Sequence, residues 1–418
     1  MRGTVRTLLR WTIAAIVTGA CVGYRWHATF TGPGGYDFHI FWIAAREVAA
    51  GHSPYAGGDP TFPYVYTPLV ALALVPVSHL SFTLDWKGWT ALQIVALLTA
   101  AGAFVVSQSG RLSSHLRPLV FTACAVTGLT LWPMSYGLHI GQADILVLLA
   151  LTLSTVAASR SWPATRGVFL GVAGLLKVWP ALGALSLLQR SLVERRRSLW
   201  SLLVTLLFAP VLAVIFGGTS GLAAFAKVVF DQSSQHLVSN SVWGIPNMLF
   251  SRSGLARPLL VSPALRIVGT IVLVTWALGL LFRVLRTVND PVMCTWNTMA
   301  CVILLLPVSH MAYSVLVLPL LWLWGARLLS TRTMDPRVIT VFAVMLLWWI
   351  VQTHAWPGDA SPSTISSIRY CIVFGANLAA CTASVLGARP ESSGSTTTDG
   401  LVRIGSPSEA ERHQLEAT

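Results

Sequence analysis

Long apolar runs separated by short polar breaks fill the chain as far as residue 387. Eight of them, at about 11–28, 86–107, 118–137, 142–158, 198–216, 259–282, 338–353 and 366–387, approach the ~20 residues that carry a helix across a bilayer. They are continuous rather than alternating, which predicts helices and not a β-barrel. Three stretches break the pattern. "YTPLVALALVPVSHL" (66–80) has two prolines and is short for a span. The stretches 167–189 and 292–326 have arginine on both flanks. Each is therefore predicted to be two helices meeting at a proline-containing apex, at Lys177–Pro180 and Pro307–His310. Backbone freed at such breaks must be buried in protein or face water, so the apices are expected to line a cavity open to the outer side. The pattern predicts an all-α polytopic membrane protein of about twelve transmembrane or broken helices. A single integral membrane domain covers 1–387, with outer loops at about 29–65 and 217–257. A Ser-, Thr- and Gly-rich disordered cytoplasmic tail is expected over 388–418.

Composition agrees with this and adds a direction. The 418 residues are 54% hydrophobic and only 10% charged, with mean hydropathy +0.68. The net charge of +13 is unevenly placed. Arginines at 2, 6, 10, 111, 117, 160, 166, 190, 195–197, 283, 286, 327, 332, 337, 389, 403 and 412 fall on one side of the predicted topology. That is the positive-inside pattern, with both termini cytoplasmic, and it argues against a nucleic-acid surface. The first segment, preceded by Arg2, Arg6 and Arg10, is expected to be a retained anchor in the plasma membrane. The six cysteines lie in apolar segments with no CxxC and read as core residues.

The remaining titratable groups collect on the outer side. All three lysines (Lys87, Lys177, Lys227) are there or at an apex, and most histidines join them. Asp37 follows "GPGGY" and opens "DFHIFWIAAREVAAG". Phe38, Phe41, Trp42, Ala45 and Val48 share one face, predicting an interfacial amphipathic helix with Asp37 at its N-cap. Asp37 is either that cap or a general base, and His39 beside it is a candidate substrate contact. Gln142 and Asp144 sit at the outer entry of a helix, where Asp144 is a cap, an interhelical hydrogen bond or part of a substrate site. Lys177, between "GVAGLL" and "VWP", is costly at membrane depth. It either snorkels to the interface or, as a lone cation at an apex, suits a phosphate. Asn240, Ser241 and Arg252 of the second outer loop are solvated loop residues or ligand contacts. His310 and Tyr313, one turn apart at the second apex, are core residues or substrate contacts. No GxxxxGK[ST], HExxH or GxSxG is present, so nucleotide-driven transport, zinc hydrolysis and a serine-hydrolase elbow lack support.

An ordered set of motifs then gives a resemblance. The aspartate after the first helix, "AAREVAAGHSPYAG", "YVYTPLVALALVP", "GLHIGQADILVLLAL", "GVFLGVAGLLKVWPAL", "SNSVWGIPNMLFSRSG" and "LPVSHMAYSVLVLP" cover roughly residues 30–320. Together they resemble the polyprenyl-phosphate-mannose-dependent mannosyltransferases of the GT-C superfamily. The resemblance implies a GT-C-like bundle with a periplasm-facing cavity. It implies transfer of mannose from a polyprenyl-phosphate sugar donor to a glycolipid or lipoglycan acceptor, with the lipid-linked donor as co-substrate and no other cofactor. It also implies that Asp37 is the base, that Lys177 and Arg252 bind the donor phosphate, and that Asn240 and Ser241 belong to the substrate site. Where many relatives carry a Trp-Asp-His-His-like run, this chain has "HMAY", with its histidine at His310. One base without a second carboxylate nucleophile predicts inversion by single displacement, and a lipid phosphate leaving group predicts no required metal. The competing expectations are another lipid-linked sugar such as arabinofuranose, and a transporter built on broken helices.

Overall fold

A computed structural model describes residues 2–57, 63–231, 239–252, 257–331, 335–354 and 364–388. Asp59, Asp359 and the tail from 389 to 418 lie outside the described residues. The described residues form α-helices and short 3₁₀ segments, with no strand among them. Helix α1 (Arg2–Thr29) is followed by two short helices in the segment that leads to the next long helix, α2 (Tyr36–Ala49) and α3 (Pro68–Leu74). The bundle continues through α4 (Phe82–Ser107), α5 (Arg117–Thr130), α6 (Trp132–Ile140), α7 (Asp144–Ser159) and α8 (Pro163–Leu176). A 3₁₀ segment (Trp179–Leu187) leads to α9 (Leu192–Leu206), α10 (Phe208–Asp231) and the short α11 (Gly244–Phe250). Next come α12 (Pro263–Thr287), α13 (Pro291–Leu305), a second 3₁₀ segment (Met311–Val317), α14 (Leu318–Ser330), α15 (Pro336–His354) and α16 (Thr364–Gly387).

Seven of these stretches are long and apolar enough to cross a membrane, and the bent α5–α6 pair makes eight. The shorter apolar helices α7, α8 and α13 sit among them. This is the all-α polytopic architecture the hydropathy predicts. Proline placement explains many of the helix starts. Helices α3, α5, α6, α8, α12, α13 and α14 each have proline in the first two positions, where its missing N–H costs nothing. Ser191 with Glu194 opens α9, the Ser191 hydroxyl accepting from the Glu194 N–H. Asp290 caps α13 by accepting from the Val292 and Met293 N–H groups.

The main core is formed by α4, α5, α7, α13, α14, α15 and α16, with Trp296, Trp324 and Trp348 fully buried. A smaller core ties the α2–α3 segment to the bundle. Phe38, Phe41, Ala45 and Val48 of α2 pack with Tyr64, with Val70 of α3 and with Trp86 and Trp89 of α4. Fully burying a phenylalanine is worth about 1.5–3 kcal/mol, so Phe38 and Phe41 alone anchor α2 firmly.

Three sequence expectations are corrected. The run 118–137 is not one straight helix: it breaks at Leu131, with 61° between α5 and α6, because Pro133 restarts the helix. The loop expected from 217 begins as helix, since α10 continues to Asp231 past non-helical Gly218. Asp37 is not the N-cap of α2. Gly35 is, at φ 74°, its N–H donating to the His139 carbonyl at 2.8 Å and its carbonyl accepting from the His39 N–H. A glycine takes that left-handed conformation without strain, and Asp37 is left in the first turn with its carboxylate free for other partners.

Both expected apices are present, and the segments around Thr67 and Val242 seal them. Helix α8 stops at Leu176, Lys177 is extended (φ −145°, ψ 135°) and the 3₁₀ segment follows. The Leu175 carbonyl accepts the Thr67 hydroxyl just before α3. At the second apex the Leu304 carbonyl accepts the Val242 N–H at 3.0 Å, and the Leu305 carbonyl accepts the Trp243 indole N–H at 2.8 Å. A buried backbone group left unpaired costs about 1–3 kcal/mol. The same bonds that satisfy the broken helices thus hold both of these segments over them.

Candidate active site

Helix α2 reaches the bundle through Gly141. The Trp89 indole donates to the Gly141 carbonyl at 2.9 Å, and Gly141 itself ends α6 at φ 85°. A Cβ there would lie 2.5 Å from the Phe38 Cβ. This close approach places Asp37, next to Phe38, beside Gln142, next to Gly141.

Four polar side chains meet at that point. The Lys177 ammonium lies 2.7 Å from Asp144 Oδ1 and donates to Gln142 Oε1 at 3.1 Å. With its oxygen so occupied, the Gln142 amide has its NH₂ to offer Asp37, whose carboxyl it pulls down. Gln142, Asp144 and Lys177 are buried, and Asp37 is half-buried. Tyr313 puts its ring 4.3 Å from the Lys177 nitrogen, and Tyr66, just before α3, puts its ring 5.6 Å away. Burial holds the Asp37 carboxyl above its ordinary value. The Gln142 bond and the Lys177 charge pull it back, and the Asp144 charge pushes it up.

The second apex adjoins the first through Tyr313, whose ring contacts His310 at 5.4 Å and Trp179 at 4.9 Å. Residues 239–242 lie against this apex. The Asn240 N–H donates to the Ser309 carbonyl at 2.9 Å, and the Ser309 N–H donates to the Ser239 hydroxyl at 2.7 Å. Ser241 is consumed by structure: its hydroxyl accepts from Ser239 at 2.8 Å and from the Gly244 N–H at 3.3 Å. Asn240 differs. Its side chain is buried and neither amide atom has a partner among the described residues. Buried polar groups are nearly always paired, so an orphan needs an explanation such as a missing ligand or water.

The structure thus joins Asp37, Gln142, Asp144, Lys177, Tyr313 and His310 in one chain of contacts, with Asn240 a step beyond. Two sequence candidates stand apart. His39 is exposed and stacks near Trp42 (5.9 Å) and Phe82 (5.3 Å). Arg252 is exposed, just past the end of α11, and touches none of the cluster. Lys177 is not the lone cation expected, because Asp144 neutralises it. Tyr66 and Trp179 escaped the sequence reading; both lie within runs quoted above, "YVYTP" and "LLKVWP", but as ordinary aromatic positions. Among the described residues, no three His, Cys, Asp or Glu side chains gather as metal ligands.

The profile of glycosyltransferase family 87 matches residues 64–309, more than half of the chain. The chain belongs to glycosyltransferase family 87. The matched region holds Tyr66, Gln142, Asp144, Lys177 and Asn240 and stops one residue short of His310; Asp37 lies before it. Two curated relatives agree. A polyprenol-phosphate-mannose-dependent alpha-(1-2)-phosphatidylinositol mannoside mannosyltransferase of Mycobacterium tuberculosis is 26% identical over 197 residues, 43% of this chain and 46% of its own length. The chain therefore spans just under half of that relative. GPI mannosyltransferase 1 of Eremothecium gossypii is 23% identical over 337 residues, 77% of each chain. Family 87 membership and the multiple apolar spans fit a multi-pass membrane protein and count against the transporter expectation.

Proposed function

We propose that this family 87 glycosyltransferase moves mannose from a polyprenyl-phosphate donor to a glycolipid or lipoglycan acceptor at the outer face of the membrane. The observation that carries the mechanism is the Asp37–Gln142–Lys177–Asp144 cluster at the broken end of α8. The acceptor hydroxyl attacks the anomeric carbon and passes its proton to Asp37, while the bond to the lipid phosphate breaks on the opposite face. A single displacement of this kind inverts the anomeric centre. Gln142 orients Asp37, and Tyr313 and Asn240 line the side toward the substrate. Negative charge growing on the leaving phosphate is stabilised by the third N–H of Lys177 and by Arg252 from the second outer loop. Neither needs a metal, so activity that EDTA abolishes would refute that part.

The 2.7 Å Lys177–Asp144 pair favours a second reading of one residue, in which Lys177 only holds Asp144 and Gln142 in place and Arg252 alone grips the phosphate. Arg252→Ala then raises the donor KM while Lys177→Met lowers kcat. The mannose assignment is tested with expressing membranes given polyprenyl-phosphate-mannose or polyprenyl-phosphate-arabinofuranose, each radiolabelled. Mannose-selective labelling of lipid supports it, and arabinose-selective labelling overturns it. The outer placement rests on the arginine distribution. A cysteine at exposed His52 should react with an impermeant maleimide from outside intact cells; one at exposed Arg111 should not.

A further inference from the structure

The other end of α8 carries a second buried cation that the proposed reaction does not use. Arg166 lies eleven residues before Lys177, ~16 Å along the helix. It is 3% exposed, yet no described carboxylate pairs with it. One terminal nitrogen donates to the Ser186 hydroxyl at 2.8 Å and the Thr295 hydroxyl at 3.2 Å, and its Nε is buried without a partner among the described residues. Arg190 stands close by, a terminal nitrogen donating to the Asn289 carbonyl at 3.3 Å, and its buried Nε too has no partner among the described residues. Both guanidiniums line one narrow cleft with Ser161, Trp162, Ser198 and Glu194, whose enclosed space of about 30 Å³ opens to the surface. A buried guanidinium and a half-exposed one, facing one cleft with a buried Nε each, suit an oxyanion. Burying unpaired charge is otherwise expensive.

The surroundings indicate where the anion comes from. Trp162, Leu192, Val193 and Trp200 are exposed beside the cleft, and the Arg160 guanidinium lies 5.3 Å from the Trp162 ring. A neighbouring groove of about 590 Å³ is lined by Arg196, Arg197 and Trp200. Exposed tryptophan and arginine together mark a membrane–water boundary. The structure assigns to this cleft the phosphate of an anionic membrane lipid, held between Arg166 and Arg190 at the opposite end of α8 from Lys177. The lipid is bound, not consumed, and the assignment does not depend on the sugar or acceptor of the reaction.

The test uses the full-length protein in nanodiscs and in detergent, with phosphatidylglycerol, phosphatidylcholine of the same chains, and inorganic phosphate as probes. Native mass spectrometry should show one phosphatidylglycerol held at least tenfold more tightly than phosphatidylcholine. Arg190→Gln, at a half-exposed position that tolerates change better than Arg166, should weaken it tenfold or more without altering phosphatidylcholine retention. Glu194→Gln, which removes the one acid in the cleft, should tighten it, and Lys177→Met should leave it unchanged. Equal retention of both lipids, or a folded Arg190→Gln variant with affinity within twofold of wild type, overturns the assignment. Saturable protection by inorganic phosphate without a phosphatidylglycerol preference also overturns it, in favour of a soluble anion.

Discussion

Replacing Lys177 by methionine removes the cation from a buried pair and leaves Asp144 facing it without a counter-ion. At 2.7 Å and an effective dielectric near 20, the gross attraction is about 6 kcal/mol, most of it offset by the desolvation of both groups. The net cost of stranding one partner is set by the uncompensated charge and is about 3–5 kcal/mol. Asp144→Asn strands the lysine instead and should cost a similar amount. The double variant Lys177→Met, Asp144→Asn buries no charge and should return to within about 1 kcal/mol of wild type. Reversible unfolding in mixed detergent micelles reads these differences, and a transfer assay on the same preparations reads function. Activity of the double variant should stay down by about 10²–10³, the usual loss when a charge-stabilising donor is removed. A Lys177→Met protein as stable as wild type would refute the pairing. A double variant that regains activity along with stability would show that Lys177 serves only as the counter-ion of Asp144.

Further outcomes follow from the same geometry. Asp37 must be ionised to act as a base and burial raises its pKa, so kcat/KM should fall as pH drops through a value above the ordinary ~3.9. Asp144→Asn should move that acid limb to lower pH and Lys177→Met to higher pH; a limb insensitive to both would separate Asp37 from the cluster. Gly141→Ala forces a Cβ to 2.5 Å from the Phe38 Cβ at φ 85°. It should lower kcat at least tenfold through displacement of α2, read by transfer kinetics, with about 1–2 kcal/mol of backbone strain. Asn240→Ala removes two orphaned polar atoms, so stability should hold or rise while a substrate KM rises about tenfold, the ~1.4 kcal/mol of one or two hydrogen bonds. A loss of stability with unchanged KM would make Asn240 structural.

Much of this architecture is written in the local pattern, and the parts that are not share a cause. Both apices are legible because arginine flanks and internal prolines are local signals, and so are the amphipathic face of α2 and the costly placement of Lys177. The identity of its partner is not legible. Asp144 lies thirty-three residues earlier, at the start of α7, and only the packing of α7 on α8 turns two separate candidates into one ion pair. The same holds for Gln142, whose amide links Asp37 to Lys177 because Gly141 lets α2 approach. A cap was the natural reading of Asp37, but "GPGG" offers glycines that adopt the left-handed cap conformation more readily, and Gly35 takes that place. Tyr66 and Trp179 look like core aromatics in sequence; their places beside Lys177 and Tyr313 come from the sealing of each broken helix by a neighbouring segment. Arg252 matched a motif, yet its exposed position makes contact with a donor phosphate a matter for kinetics.

The central claim is that Asp37 is the base of a lipid-linked mannosyl transfer, and one comparison tests it most directly. Purified wild-type protein and Asp37→Asn protein, matched for folding by unfolding midpoint, are given radiolabelled polyprenyl-phosphate-mannose and an acceptor glycolipid. Wild type should label the acceptor, and Asp37→Asn should lower kcat by about 10²–10⁴, the range for loss of a general base. Labelling by the asparagine variant at the wild-type rate would contradict the account.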